Sequence, residues 1–164
     1  MNNSKKESCK CKEYSHLELS REIISNRIKE TKEIKKNLEY LAKSETGNHL
    51  YKCKYCNQLW QLSSAWNWGG KDYVFKIPKI EIEEWKKEPF MSPAEMIIFS
   101  ALMKSYFERT ELKESENLCK RESCENKAIL KDVLCKKHLI ESLQKIGNLP
   151  QKPEGKIFEP YKFE

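Results

Sequence analysis

The residues best equipped for chemistry are seven cysteines and three histidines. They fall into two groups with metal-ligand spacing. One is Cys119-x4-Cys124-x10-Cys135-x2-His138; the other is Cys9-x-Cys11 followed by Cys53-x2-Cys56. Together these take up every cysteine and one histidine, in two sets of four. A structural Zn2+ is held by four N and S donors in a tetrahedron, which leaves no position open for substrate. The pattern therefore implies two Zn2+ ions with a structural, non-hydrolytic role. In the C-terminal set, a Cys-x4-Cys loop wraps one side of the ion and Cys-x2-His on a helical turn closes the other. In the N-terminal set Cys9 is taken as the fourth ligand, with His16 as the alternative. His49, just before Cys53, reads as a surface group or a neighbour of the ligands.

Enzyme signatures are missing. There is no Gly-rich phosphate loop, no His-Glu-x-x-His and no nucleophile elbow. A deaminase would need His-x-Glu with a downstream Pro-Cys-x-x-Cys, and Cys53-x2-Cys56 lacks the βαβ pattern of a thioredoxin-like site. The chain reads as non-enzymatic. Hydrophobic residues are 38 % and charged residues 34 % of the sequence, a lean supply for a core, for which a bound metal is a common remedy. Disulfides are the rival staple. No secretory pattern opens the chain and no apolar run is long enough to span a membrane. A reduced, cytoplasmic setting is thus expected, and it favours metal. The formal charge is +6; seven thiolates and two Zn2+ would bring it to about +3. Residues 46–80 are one-sided, with Lys52, Lys54, Lys71, Lys76 and Lys79 against Asp72 alone. Lys10, Lys12, Lys52 and Lys54 flank thiols and are placed to offset the charge of a four-cysteine site.

The elements that must position these groups predict an α+β chain. Residues 1–8 are polar and read as frayed. Leu17, Ile24, Ile28, Thr31, Ile34, Leu38 and Leu41 step in threes and fours, which predicts one long helix over 17–43. Such a helix would be about 40 Å long and would hold Cys9 and Cys11 away from Cys53 and Cys56, unless its flanks double back or it breaks near Ser25-Asn26. Cys53 to Asn57 reads as a zinc knuckle leading into a hairpin of two strands, Leu59 to Ser63 and Asp72 to Ile77, turning at Asn67-Trp68-Gly69-Gly70. Ser92-Pro93-Ala94-Glu95 carries a capping box and starts a second helix to about Arg109. Residues 110–118 read as a polar linker, His138 to Ile146 as a short helix, and 147–164 as an extended tail. The domain reading is 1–109 for the helix and zinc-ribbon-like hairpin, 110–146 for the knuckle and 147–164 for the tail. Trp66 and Trp68 flank the hairpin turn and are expected to be exposed.

At Leu50-Tyr-Lys-Cys53-Lys-Tyr-Cys56-Asn-Gln-Leu-Trp60-Gln-Leu62 the chain resembles a group of small bacterial cysteine-rich proteins, in which Cys-x-Cys precedes Cys-x2-Cys-Gly-Gln-x-Trp. Asn57 stands where that pattern has Gly, and a left-handed position tolerates Asn. Trp60-Gln-Leu-Ser63 with Gly69-Gly70 is similar to immunity proteins of bacterial polymorphic toxin systems. The C-terminal set looks like treble-clef-type knuckles. Together with the absent catalytic motifs, the closed metal sites and the exposed-looking Trp66/Trp68 turn, the resemblance to immunity proteins leads to the expectation of a cytoplasmic two-zinc protein that binds another protein through Trp66 and Trp68, as an immunity or inhibitor protein in its most concrete form. The alternative is a nucleic-acid-binding accessory protein that uses the basic, aromatic face of residues 46–80.

Overall fold

The computed structural model describes residues 9–159 and 161, so the reading of 1–8 lies outside the described residues. The chain forms two compact units. One contains the residues up to Ile97 together with those from Glu154 onward; the other is Ile98–Pro153.

In the first unit, helix α1 (Arg21–Lys35) starts where Ser20 Oγ accepts the Ile23 N–H at 3.2 Å. It is shorter than the apolar stepping predicts. The chain turns at Lys36–Asn37, and residues expected to be helical form strand β1 (Leu38–Lys43), paired antiparallel with β2 (His49–Cys53). The misleading feature is that β1 is apolar on both faces. Leu38 packs with Cys53 and Trp60, and Leu41 against a second core cluster, so two leucines three residues apart look like a helical step. A β-bulge lies between Tyr40 and Ala42. Strands β3 (Leu59–Ala65) and β4 (Lys71–Ile77) complete a four-stranded antiparallel sheet in the order β1-β2-β3-β4. The predicted turn between β3 and β4 is present, with Gly69 and Gly70 at φ of 78° and 67°.

Alternation along β4 splits the core in two. Tyr73, Phe75 and Ile77 face a larger cluster with Leu50, Trp85 of the short helix α2 (Ile82–Lys87), Met91, and Met96 near the start of α3 (Pro93–Arg109). Val74 faces the other way, with Trp60, Leu62, Leu38, Cys53, Cys11 and Ile34. Trp60, Trp85, Tyr73 and Phe75 are all essentially inaccessible. At about 150–250 Å2 each, large rings compensate for the small number of aliphatic residues. Gln61, also fully buried, uses its whole amide. Its Oε1 accepts from Trp85 Nε1 and Phe90 N, and its Nε2 donates to Phe90 O and Ser63 Oγ, all within 3.0 Å.

Strand β4 lies at an edge of the sheet, where unpaired backbone groups are a liability. Side chains of α1 take the place of a fifth strand there. Val74 N donates to Thr31 Oγ1, and Arg27 Nη1 donates to Val74 O, both at 3.1 Å. Arg27 is 3 % exposed. Its Nη2 donates to Ser15 O at 3.1 Å, its Nε to Glu30 at 3.2 Å, and its guanidinium lies over the rings of Tyr14 and Trp60.

The segment expected to be an extended tail is extended, and its second half is part of the core. Lys156 bridges the backbone of Pro89 and Met91, and Phe158 and Tyr161 are buried against Phe75 and Phe90. Gly155 has a φ of 121°, and a Cβ there would meet Pro89 O and Met91 N at 2.7 Å, so only glycine fits.

The second unit carries the distal part of α3, a hairpin of β5 (Glu114–Leu118) and β6 (Lys127–Ile129), and α4 (Lys136–Lys145). The expected polar linker at 110–118 therefore contains a strand. Glu114 to Asn117 are polar because that strand's side chains are largely exposed.

Arg27→Met should leave the buried Val74 carbonyl unpaired, while Ser15 is exposed and its carbonyl can turn to water. Urea unfolding should then show a stability loss of about 1–3 kcal/mol. Arg27→Lys should recover only part of it, because an ammonium cannot reproduce the planar fork.

Candidate metal centres

The first candidate centre is made by two turns that local hydrogen bonds hold open. Cys53 ends β2, and its N–H donates to Gln58 O at 2.8 Å, which folds residues 54–57 into a knuckle. Asn57 adopts the left-handed conformation at φ 63°. Backbone N–H groups of Tyr55 and Cys56 point at Cys53 Sγ, and that of Gln58 at Cys56 Sγ. The 3-10 turn Cys11–Glu13 presents the other two thiols, with Cys11 N donating to Cys9 Sγ at 3.3 Å. The segment from Cys11 to Ser20 doubles back along α1, so Cys11 packs with Ile34, Leu38 and Cys53 beside the helix C-terminus. That return path meets the distance constraint raised by the sequence, and it is short because α1 has 15 residues, not the predicted 27 or so.

The four sulfurs of Cys9, Cys11, Cys53 and Cys56 lie within 4.8 Å of one another, and Cys9 Sγ is 3.7 Å from Cys53 Sγ. A tetrahedron with Zn–S bonds of about 2.3 Å has edges of about 3.8 Å. A disulfide needs about 2.05 Å, and all seven cysteines are free. The donor set therefore fits a tetrahedral thiolate-bound ion. The fourth converging atom is the Cys9 sulfur; His16 is exposed and lies outside the group.

The second candidate centre is local. Cys119 follows β5, and the loop to Cys124 is closed by Cys119 N to Asn126 O at 2.8 Å and Cys124 N to Arg121 O at 3.1 Å. Ser123 takes the left-handed conformation there. Cys135 is the N-cap residue of α4, and His138 lies within its first turn. His138 Nδ1 is 3.4 Å from the sulfurs of both Cys119 and Cys135, and Cys124 Sγ is 3.8 Å from Cys135 Sγ. With Zn–N near 2.0–2.1 Å, the expected S···N edge is about 3.5 Å. The helix carrying His138 starts two residues before the predicted position.

In each set one thiol is eased toward the thiolate, Cys53 in the first and Cys119 in the second, while Cys11, Cys56 and Cys124 are held up. Burial opposes ionisation of Cys53, but N–H bonds from Tyr55 and Cys56 bring it down to about 7. Cys119 also works against desolvation. N–H bonds from Arg121 and Cys135 and the His138 ring bring it down to about 6. Burial pushes the Cys11 thiol well up, so a cation among the sulfurs is what would hold all four as thiolates. The lysine that faces the first set is Lys76. Its ammonium is pulled down by burial and held up chiefly by Cys11, and it lies over the Trp60 ring. The sequence reading missed it because it sits on β4, far from the ligands along the chain. Of the lysines proposed for that role, Lys52 pairs with Glu39 at 3.9 Å, and Lys54 Nζ donates to Lys36 O. The lysines of 46–80 are thus spread over several surroundings.

The two turn tryptophans differ. Trp66 is 62 % exposed, whereas Trp68 packs against the core with its Nε1 donating to Ser25 Oγ at 3.0 Å and Arg21 over its ring. No helix among the described residues is long and apolar enough to cross a membrane.

Cys9→Ser should remove one equivalent of metal per chain by elemental analysis, while His16→Ala should leave the content unchanged. Cys135→Ser should release the other equivalent and leave the tryptophan fluorescence of the first unit native, because the two sets lie in separate compact units. Global unfolding of Cys135→Ser would contradict that independence.

No protein-family model, curated protein or solved structure matches the chain, so its function has to be argued from these two donor sets and the surfaces around them.

Proposed function

We propose that this is a non-enzymatic protein in which two structural Zn2+ ions hold a scaffold for binding another protein. The convergence of two complete four-donor sets carries the reading: four protein ligands leave no position for a reacting water or substrate. Residues Cys9, Cys11, Cys53 and Cys56 would hold one ion, and Cys119, Cys124, Cys135 and His138 the other. Zn2+ suits mixed thiolate and imidazole donors at tetrahedral spacing.

The partner reading is supported by the second unit. Helix α4 is strongly amphipathic, with Leu139, Ile140 and Leu143 on its apolar side, yet none of its residues is buried. Leu102, Phe107, Leu118, Leu130, Val133 and Ile146 of the same unit are exposed. Exposed apolar side chains in this number suit a protein-binding surface. In the first unit Trp66 is a further candidate anchor, since interface hot spots are enriched in Trp. Trp68, docked on α1, would contribute by positioning the turn. An immunity or inhibitor role is the concrete form of this reading and rests on the motif resemblance.

Purified protein should carry about two Zn2+ per chain and lose structure with a strong chelator, since ligation energy is folding energy in small metal domains. Leu130→Asp plus Val133→Asp should abolish capture of a specific protein from native lysate, with zinc content and thermal stability unchanged. An inhibitor role further requires that the captured protein, once purified, lose its activity at one equivalent of this chain. Capture unaffected by these changes and by Trp66→Ala would refute the proposed surfaces.

A further inference from the structure

The sheet face that packs against α1 through Trp60, Leu62 and Val74 is only partly covered in the first unit, with Tyr40 exposed on it. A groove of about 520 Å3 runs there, with Leu62 and Ile28 in its lining and Lys32, Lys35 and Lys71 along it; Asp72 is its one acidic lining residue. The face continues across the sheet. Leu62 pairs with His49, and Tyr51 with Tyr40, in the β2–β3 and β1–β2 ladders, which puts these side chains on one surface. Lys43 pairs with His49 on the same side. The rings of Tyr40 and Tyr51 meet edge to face at 5.7 Å, and Tyr40 and His49 at 5.8 Å. Lys35 belongs to both regions, since it lines the groove and its Nζ lies 5.4 Å from the Tyr51 ring centre. Tyr40 is 53 % exposed, although it is a large ring in the middle of a strand. Glu39 and Lys52, the neighbouring ion pair, point to the opposite face.

We propose that this face binds single-stranded nucleic acid, with a base stacked on the exposed Tyr40 ring, which His49 and Tyr51 buttress edge to face, and the phosphates neutralised by Lys32, Lys35 and Lys71. The chemistry is that of a stacking platform beside a cationic track. A base presents its π-face to the exposed Tyr40 ring, and the backbone charge follows the lysines. Helix α1 covers Trp60, Leu62 and Val74 on the β3 and β4 part of this face, so the stacking position lies toward the β1–β2 side, where Tyr40 is exposed. A duplex would offer that ring no unstacked base. Stacking does not read the sugar, so DNA and RNA single strands should bind alike. This surface lies in the first unit and is independent of the protein-binding reading for the second. It also differs from the lysine face expected from residues 46–80, because Lys32 and Lys35 come from α1.

The test is fluorescence anisotropy of zinc-loaded, full-length protein with labelled oligo-dT, oligo-U and a duplex of equal length, across a range of salt. The expected result is binding of both single strands in preference to the duplex, with a slope of log K against log salt of about −2 for three phosphates contacted. Tyr40→Ala should weaken binding roughly tenfold at an unchanged salt slope. Lys32→Gln plus Lys35→Gln should reduce the slope by about 1.4. Zinc content and thermal unfolding serve as folding controls. If Tyr40→Ala misfolds, amide chemical-shift mapping of the wild-type chain with oligo-dT decides: shifts centred on Tyr40, Tyr51 and Lys35 support the site, and shifts centred elsewhere overturn it. Absence of binding at low salt, preference for the duplex, or binding indifferent to a well-folded Tyr40→Ala would each overturn the proposal.

Discussion

The architecture of the first unit depends on one buried guanidinium. Arg27 joins three pieces of chain: the open edge of β4 at Val74, the returning segment at Ser15, and its own helix through Glu30. A buried charge is costly unless its donors are satisfied, and here they are, by two carbonyls, a carboxylate and two aromatic faces. The result is geometric as well as energetic. The segment that carries Cys9 and Cys11 back along α1 is pinned at its middle, so the two thiols are delivered to the knuckle after β2 rather than left on a free arm.

The two donor sets solve different problems. Cys119 and His138 are close in sequence, and the ligand loop closes over a short hairpin with little entropy lost. Cys9 and Cys53 are 44 residues apart. Loop-closure entropy grows only logarithmically, so the longer span adds about 1 kcal/mol or less. What the longer span requires is a built return path, which the helix, the Arg27 contacts and the Trp60 side chain supply. The local centre organises a small unit that contains few buried apolar residues. The distant centre ties the start of the described chain to a core that already has buried aromatic rings.

The chemistry-bearing residues were legible because metal ligation constrains residue type and spacing at once. Both four-residue sets, the left-handed Asn57, the Gly69-Gly70 turn and the Pro93 helix start are local signals, and they match the structure. The failures have local causes too. Leu38 and Leu41 serve opposite faces of β1, and their three-residue spacing imitates a helical step. Helix α2 has six residues and one apolar anchor, Trp85, too little for a periodic pattern. Strand β5 is mostly exposed and reads as linker. Arg27 and Lys76 were invisible because their roles depend on contacts between elements far apart along the chain. Trp68 was judged exposed from its place in a turn, whereas the docking of that turn on α1 through Ser25 and Arg21 decides its burial.

The first unit is discontinuous: Phe158 and Tyr161 fill a core whose other members all precede Ile97, and Gly155 lets the returning strap pass against Pro89 and Met91. During synthesis that core stays incomplete until the whole of Ile98–Pro153 has been made, a delay of about 3–11 s at roughly 5–20 residues per second. The donor set of the second unit needs only residues of that unit and can come together within that interval. The order of assembly on the ribosome is then the reverse of the order along the chain, with the inserted unit maturing while the ring-lined half-core of its host still waits for its last two aromatics.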